Sequence, residues 1–422
     1  MRRWRGLKGL IHDAIDRTTE LVEEGHESVS RSVVGVLSLA PPLAEPVRTV
    51  DEVRRFTTKG VLGTIRAVNR AVEVITDAGM DVAEHVAAAR GADLSSELPI
   101  DARSDATGSA RWIGDAALGL VNGAIGDHLH ARKNGLDLGM KLRHGDGYLD
   151  LDAPSLDPVT PKLAVLVHGL GTTEWSWWLE SEAYHGDASV SFGSLLARDL
   201  GYTPVYVRYN TGRHVSENGR LLAQELERLV QAYPGPLEEV LLVGHSMGGL
   251  VSRSACCYAE REGLAWPAKV RRVVCLGSPH HGAPLEKLGH AAAAILSAID
   301  TPGTRIPARL IEGRSAGIKD LRHGALVDED WHADPDALTA IPLLPHATYH
   351  FLSATLTRDP EHPLGQLIGD LLVRAPSASG ALIEARTFPI ATRCFGGVLH
   401  HQIQNHPAVY EELRRACASD RA

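Results

Sequence analysis

"VLLVGHSMGGLVSRSA", Val240 to Ala255, places a serine between a histidine and a methionine, flanked by glycines, where an apolar run stops. The run Val240-Leu241-Leu242-Val243 is short and aliphatic, which reads as a buried strand. From Gly249 the spacing turns helical, with Leu250, Val251, Ser254 and Cys257 or Tyr258 three or four positions apart. Ser246 therefore stands at a strand-to-helix corner. Gly244-His245-Ser246-Met247-Gly248 fits G-x-S-x-G, the nucleophile elbow. Such a turn exposes and fixes a hydroxyl that is otherwise a poor nucleophile. Glycine and serine are common in turns, so the motif alone is weak. Its place between an aliphatic strand and an amphipathic helix gives it weight.

The chain has 422 residues, of which 44% are hydrophobic and 23% charged, as in an ordinary globular protein. A formal net charge of -9 argues against a nucleic-acid partner. The five cysteines show no C-x-x-C spacing, so neither a disulfide framework nor a zinc site is expected. The pair His280-His281 has no nearby carboxylate pair, and no metal or organic cofactor is implied. No apolar run reaches the length of a membrane span, and the basic start Met1-Arg2-Arg3-Trp4-Arg5 is not followed by a signal-peptide core. A cytoplasmic address is the default expectation.

Residues 1–40 and roughly 50–90 carry apolar stripes at helical spacing, separated by Pro41-Pro42 and Pro46. The polar segment Gly91–Gly108 reads as a linker and about Arg111–His130 as a short helix. This predicts a helical N-terminal extension, 1–108, before a main domain, 109–422. From about Leu136 the pattern changes. "LDLGMKLRHGDGYLDLD" predicts two strands around a turn. Strands at Leu163–Val167, Pro204–Tyr209, Val240–Val243 and Val270–Leu276 alternate with helices at Phe192–Leu200, Asn218–Ala232 and beyond Gly249. The alternation lapses over about 283–345, a helical insertion. It resumes with strands near Thr348–Ser353 and Arg393–Val398 and a helix Pro407–Ala416. The fold class is thus α/β, a mostly parallel sheet with helices on both faces.

A serine nucleophile needs an oxyanion hole, an acid and a base. "LAVLVHGLGTTEWSWW" ends a strand in His168-Gly169-Leu170-Gly171, where the N–H of Leu170 can pair with that of Met247 as donors; His168 reads as support for the loop. Each such donor contributes roughly 3 kcal/mol of transition-state stabilisation. Asp370, in "PLGQLIGDLLVRAPSASG", is the leading acid, with Asp359, Glu361, Asp320, Asp328 and Asp330 as competitors. The base lies in "FGGVLHHQIQNHPAVYEEL": His400 or His401, since His406 precedes Pro407 and reads as a cap. Trp175, Trp177 and Trp178 follow the oxyanion loop; Trp175 and Trp178 are candidates for an acyl pocket, with core packing as the equal alternative. Asn210, Arg213 and His214 follow a strand end, where ligands bind in open sheets, although a hydrogen-bonded loop explains them as well.

From about 136 to 417 the chain resembles the α/β-hydrolases, and within them the lipase and esterase branch related to GPI inositol-deacylase-like hydrolases. The residues that carry the resemblance are Val167-His168-Gly169-Leu170-Gly171, Gly244-His245-Ser246-Met247-Gly248-Gly249, "LGSPHHGAPLE" (Leu276–Glu286), Gly369-Asp370-x-x-Val373, and His400 with "HPAVY" (His406–Tyr410). The resemblance implies His400, seven residues before the proline of "HPAVY", as the base, and supports Asp370, although Leu371 stands where glycine is usual. It implies hydrolysis of carboxylic esters, lipid esters among them, by a Ser-His-Asp triad. An acyltransferase, an amidase or a thioesterase would use the same triad. A non-catalytic scaffold on this fold is disfavoured, because serine and histidine are both present. The N-terminal helices are not explained by the resemblance.

Trp4 and Leu7 sit among Arg2, Arg3, Arg5 and Lys8, a composition suited to an anionic lipid surface, while Asp13, Asp16, Glu20, Glu23 and Glu24 oppose deep contact. Internal packing of the stripes is therefore expected over peripheral membrane binding. In liposome flotation the full chain should stay with the unbound fraction. Salt-sensitive binding to anionic vesicles, lost on removal of residues 1–12, would reverse that order.

Overall fold

The computed structural model describes residues 106–283, 315–332, 338–362, 370, 373, 377 and 390–418. The helices expected over 1–40 and 50–90 lie outside them. Of the described residues, 106–131 and those from 137 onward belong to one compact unit.

In chain order the elements are α1 (Ala106–Ala131), β1 (Met140–His144), β2 (Gly147–Tyr148), β3 (Lys162–Val167), a 3-10 turn (Glu174–Trp178), α2 (Ser181–His185), α3 (Phe192–Leu200), β4 (Thr203–Tyr209), α4 (Val215–Gln231), β5 (Glu239–His245), α5 (Met247–Arg261), β6 (Val270–Leu276), α6 (Ala316–His323), β7 (Thr348–Thr355), β8 (Ile390–Gly396) and α7 (Pro407–Ala418). Two further 3-10 turns, Trp266–Lys269 and Asp328–His332, precede β6 and follow α6. Helix α1 already includes residues 106–108, which the sequence assigned to the linker, and α4 begins three residues before the expected Asn218.

The strand order is β2-β1-β4-β3-β5-β6-β7-β8. Strand β1 is antiparallel to β2 and β4, and from β4 to β8 every pairing is parallel. The central strands are apolar without alternation because both faces are covered. On β3, Leu163, Val165 and Val167 pack with Leu222, Leu226 and Leu229 of α4 and Leu250, Val251 and Ala255 of α5. Ala164 and Leu166 point the other way, to Phe192, Leu195 and Leu196 of α3 and Val409, Tyr410 and Leu413 of α7. Helix α3 starts at a reciprocal cap: Ser194 N–H donates to Ser191 Oγ at 3.2 Å and Ser191 N–H to Ser194 Oγ at 2.9 Å.

A buried charge cluster ties α1 to the sheet. Arg208 of β4 donates from Nε to Glu174 at 2.6 Å and from Nη2 to Asp115 of α1 at 2.9 Å. Arg143 of β1 lies 3.6 Å from Glu174, and Tyr148 O–H donates to it at 3.1 Å. Burial pushes the Glu174 carboxyl up, but the charge and hydrogen bond of Arg208, then Arg143, outweigh it and hold the group below its ordinary value.

Trp175 belongs to this cluster. Its Nε1–H donates to Asp115 at 3.2 Å, and the Arg143 guanidinium stacks 3.9 Å from the ring. Trp178 packs on Tyr206 with centroids 4.7 Å apart and donates to the Ser189 carbonyl at 3.0 Å. Both tryptophans are thus engaged in packing and hydrogen bonding.

Replacing Arg208 with leucine would leave Asp115 and Glu174 buried without their main cation. Losing one side of a buried pair costs about 3–5 kcal/mol. Urea unfolding of Arg208→Leu should show a loss of that order; a change near zero would mean the cluster is better hydrated than its burial implies.

Candidate active site

Ser246 links β5 to α5 with φ 52 and ψ -121, a left-handed conformation rare outside glycine. Such a backbone costs roughly 1–3 kcal/mol and persists only where its surroundings enforce it. Two main-chain bonds hold it: Ser246 N–H to Leu276 O at 2.8 Å and Gly249 N–H to Ser246 O at 3.1 Å. Close packing does the rest. A Cβ on Gly248 would lie 2.1 Å from the Val167 carbonyl, so only glycine lets α5 start this near the end of β3.

The residues of the glycine-rich loop after β3 lie beside the serine. A Cβ built on Gly169 would be 3.1 Å from Ser246 Cβ. Leu170 follows Gly169 in a turn, and Met247 opens α5, where the first N–H groups of a helix have no partner within it. His168 holds the loop rather than facing solvent. Its Nδ1 lies 2.9 Å from Gly169 O, and its ring stacks on Tyr209 at 4.4 Å. Tyr209 O–H donates to the His168 carbonyl at 2.7 Å.

His400 and Asp370 meet. Nδ1 of His400 lies 2.7 Å from Asp370 Oδ2, and both side chains are buried. The other Asp370 oxygen accepts from Val373 N–H at 2.9 Å. The pair packs against Gly277, which follows β6: a Cβ there would lie 3.2 Å from the imidazole and 3.4 Å from the carboxylate. Gly277 has φ +61, so glycine suits it for space and for backbone. Leu276, which accepts the Ser246 N–H, is its neighbour. Serine, histidine and aspartate so converge on the end of β6.

The competitors are engaged elsewhere. His401 turns to Glu180 at 3.1 Å, and His406 caps α7 by accepting from Ala408 N–H at 3.2 Å. Asp320 binds His214 at 3.1 Å, Asp328 pairs with Arg220, and Asp330 accepts from Leu326 and Thr339 N–H groups. Asp359 and Glu361 are exposed, Asp359 accepting from the Glu361 N–H at 3.0 Å. Asn210 is fully buried and donates to Gly126 O and Asp137, both at 2.8 Å, while Arg213 pairs with Glu217 at 3.3 Å. The loop after β4 is therefore hydrogen-bonded within the protein. Two residues beside the site escaped the sequence reading: Gly277, whose signal was a glycine closing a strand, and His245, inside the elbow motif itself.

Residues 206–338 match the family model described as the PGAP1-like alpha/beta domain. The match spans the strained serine corner and strands β5 and β6 of the parallel sheet. The chain has the α/β-hydrolase fold. No curated protein matches it. Among solved structures it is similar to Bacillus licheniformis lipase BlEst2, at 20% identity over 65% of this chain and 97% of that one, with a TM-score of 0.42. Esterase B from Lactobacillus rhamnosis matches at 14% identity over 72% and 96% of the two chains, with a TM-score of 0.36. The Pyrococcus furiosus esterase Pf2001 matches at 12% over 62% and 82%, with a TM-score of 0.37.

Three buried histidines of this protein are held neutral. Burial pushes His168 down to about 4, partly countered by its bond to Gly169 O. Burial, then the nearby His400, lowers His245 well below 6.5, and burial with Arg253 does the same for His280. Each takes up a proton on unfolding below about pH 6.5 that it refuses in the fold. Stability is therefore unaffected by them above that pH and falls as pH drops from about 6.5 toward the folded values, by up to about 1.4 kcal/mol per pH unit for each. The urea midpoint should be lower at pH 5 than at pH 7, and His168→Gln should flatten part of that slope. Equal midpoints at the two pH values would show that these rings are not buried in neutral form.

Proposed function

We propose that this hydrolase cleaves carboxylic esters through an acyl-enzyme, with Ser246 as nucleophile. The observation that carries the reading is the buried His400–Asp370 pair at 2.7 Å, packed on the residue that follows the Leu276 carbonyl to which Ser246 is tied. Because Nδ1 faces Asp370, Nε2 is left to take the proton from Ser246 Oγ as it attacks the acyl carbon. Asp370 keeps the ring in that orientation and balances the imidazolium that forms. The N–H groups of Leu170 and Met247 receive the oxyanion. His400 then passes its proton to the leaving alcohol, and water, deprotonated by His400, releases the acid and frees the serine. Lipid esters are the finer form of the same reading.

A fluorophosphonate probe should label Ser246 in the folded protein, and Ser246→Ala should abolish labelling and lower p-nitrophenyl ester turnover by several orders of magnitude. His400→Ala should match that loss and His401→Ala retain most activity. Asp370→Asn should cost less than either, since oxyanion donors remain. Rates on acyl chains of rising length read whether the acyl group is lipid-like. Label on another residue, or full turnover by the serine variant, would remove the mechanism.

A further inference from the structure

His245 touches all three parts of the site. It precedes Ser246 in the chain. Its Nε2 lies 3.0 Å from the main-chain carbonyl of His400, and its ring centroid is 4.9 Å from that of His400. On its other side, a Cβ on Gly169 would be 3.1 Å from its Nδ1. A carbonyl only accepts, so Nε2 carries the proton and Nδ1 holds a bare lone pair. Nδ1 is buried and has no hydrogen-bond partner among the described residues. A purely space-filling role is poorly served by such a ring, because a buried orphan acceptor is destabilising and an apolar side chain of similar size would avoid it. The N–H end is what an apolar side chain cannot replace.

We propose that His245 is a positioning residue: its neutral imidazole, donating to the His400 carbonyl, fixes the loop that carries the base against the turn that carries the nucleophile. The inference rests on the triad reading of Ser246, His400 and Asp370. The contact it supplies is to the backbone of residue 400, so it sets where the base stands without touching the proton being moved. Its neutrality matters too. During acylation His400 becomes a cation, and a second charge one ring away would oppose that step; burial among His400, His168 and His401 keeps His245 uncharged.

Three variants test this in the full chain: His245→Leu, which removes the donor; His245→Asn, whose short amide reaches only the Nδ1 position; and His245→Gln, whose amide reaches the Nε2 position. The readouts are the rate of fluorophosphonate labelling at Ser246, kcat and KM on p-nitrophenyl butyrate, and Tm. Displacement of a catalytic group by a fraction of an ångström to one ångström costs up to about a hundredfold. Leu and Asn should therefore slow labelling and kcat by about tenfold to a hundredfold with KM within about twofold. Gln should recover to within about fivefold of the natural protein. Should one loss variant fail to fold, the other carries the comparison with Gln. Wild-type labelling rates in Leu or Asn, or equal losses in all three variants, would overturn the positioning role. Absence of label at Ser246 in the unaltered protein would instead overturn the triad reading, an outcome visible before any variant is made.

Discussion

The hydrogen bond from Ser246 N–H to the Leu276 carbonyl, 2.8 Å long, joins the strained corner to the end of the neighbouring strand. One residue on, Gly277 N–H donates to Leu352 O of β7 at 2.8 Å. A line of main-chain bonds thus crosses the carboxyl edge of the sheet from β5 through β6 to β7. The serine is strained, and the strain is held by elements that are themselves buried: β3 against Gly248, β6 through Leu276, and α5 through Leu250 and Val251. Loosening any one of them would let φ at Ser246 relax, because nothing intrinsic to serine favours that conformation.

The same edge explains the buried histidines. Where parallel strands end, loop carbonyls lose their ladder partners and need donors. His168 and His245 serve carbonyls of residues 169 and 400, and a neutral ring does so without the desolvation of a charge. The ion-pair cluster is built differently. Arg208, Arg143, Glu174 and Asp115 bind one another across β4, β1, the Glu174–Trp178 turn and α1. Each guanidinium there is matched by carboxylates, whereas the rings of His168 and His245 are matched by main chain.

How much of this the sequence carries depends on distance along the chain. The serine corner, the glycine-rich loop after β3 and strands β3 to β6 are legible because both signals, aliphatic runs and glycine-rich turns, are local. Strand β8 begins at Ile390, three residues before its expected start, because Ala391, Thr392 and Arg393 are exposed and lack the apolar signature. The choice between His400 and His401 was open on residue patterns alone. It turns on Asp370, 30 positions away, and Glu180, 221 positions away. Trp175 was equally undecidable, since its indole N–H goes to Asp115, 60 positions back. Partners of that separation leave no periodicity to read.

The segment between β6 and β7 looked like an addition laid on the sheet, yet its described part is bonded into the site's surroundings. Gly317 N–H donates to Gly212 O at 3.1 Å, and a Cβ on Gly317 would come within 2.8 Å of Met247 Cε. Asp320 accepts from Val215 N–H at 2.8 Å and faces His214, whose ring stacks on Trp331 at 4.1 Å. Helix α6 therefore meets both the loop after β4 and the side chain of the residue that opens α5. Met247 is thus constrained from below by the core and along its side chain by α6, which limits how far the first turn of α5 can shift. Under the proposed reading of the Met247 N–H as an oxyanion donor, both constraints help, because preorganised donors need no reorientation when charge develops.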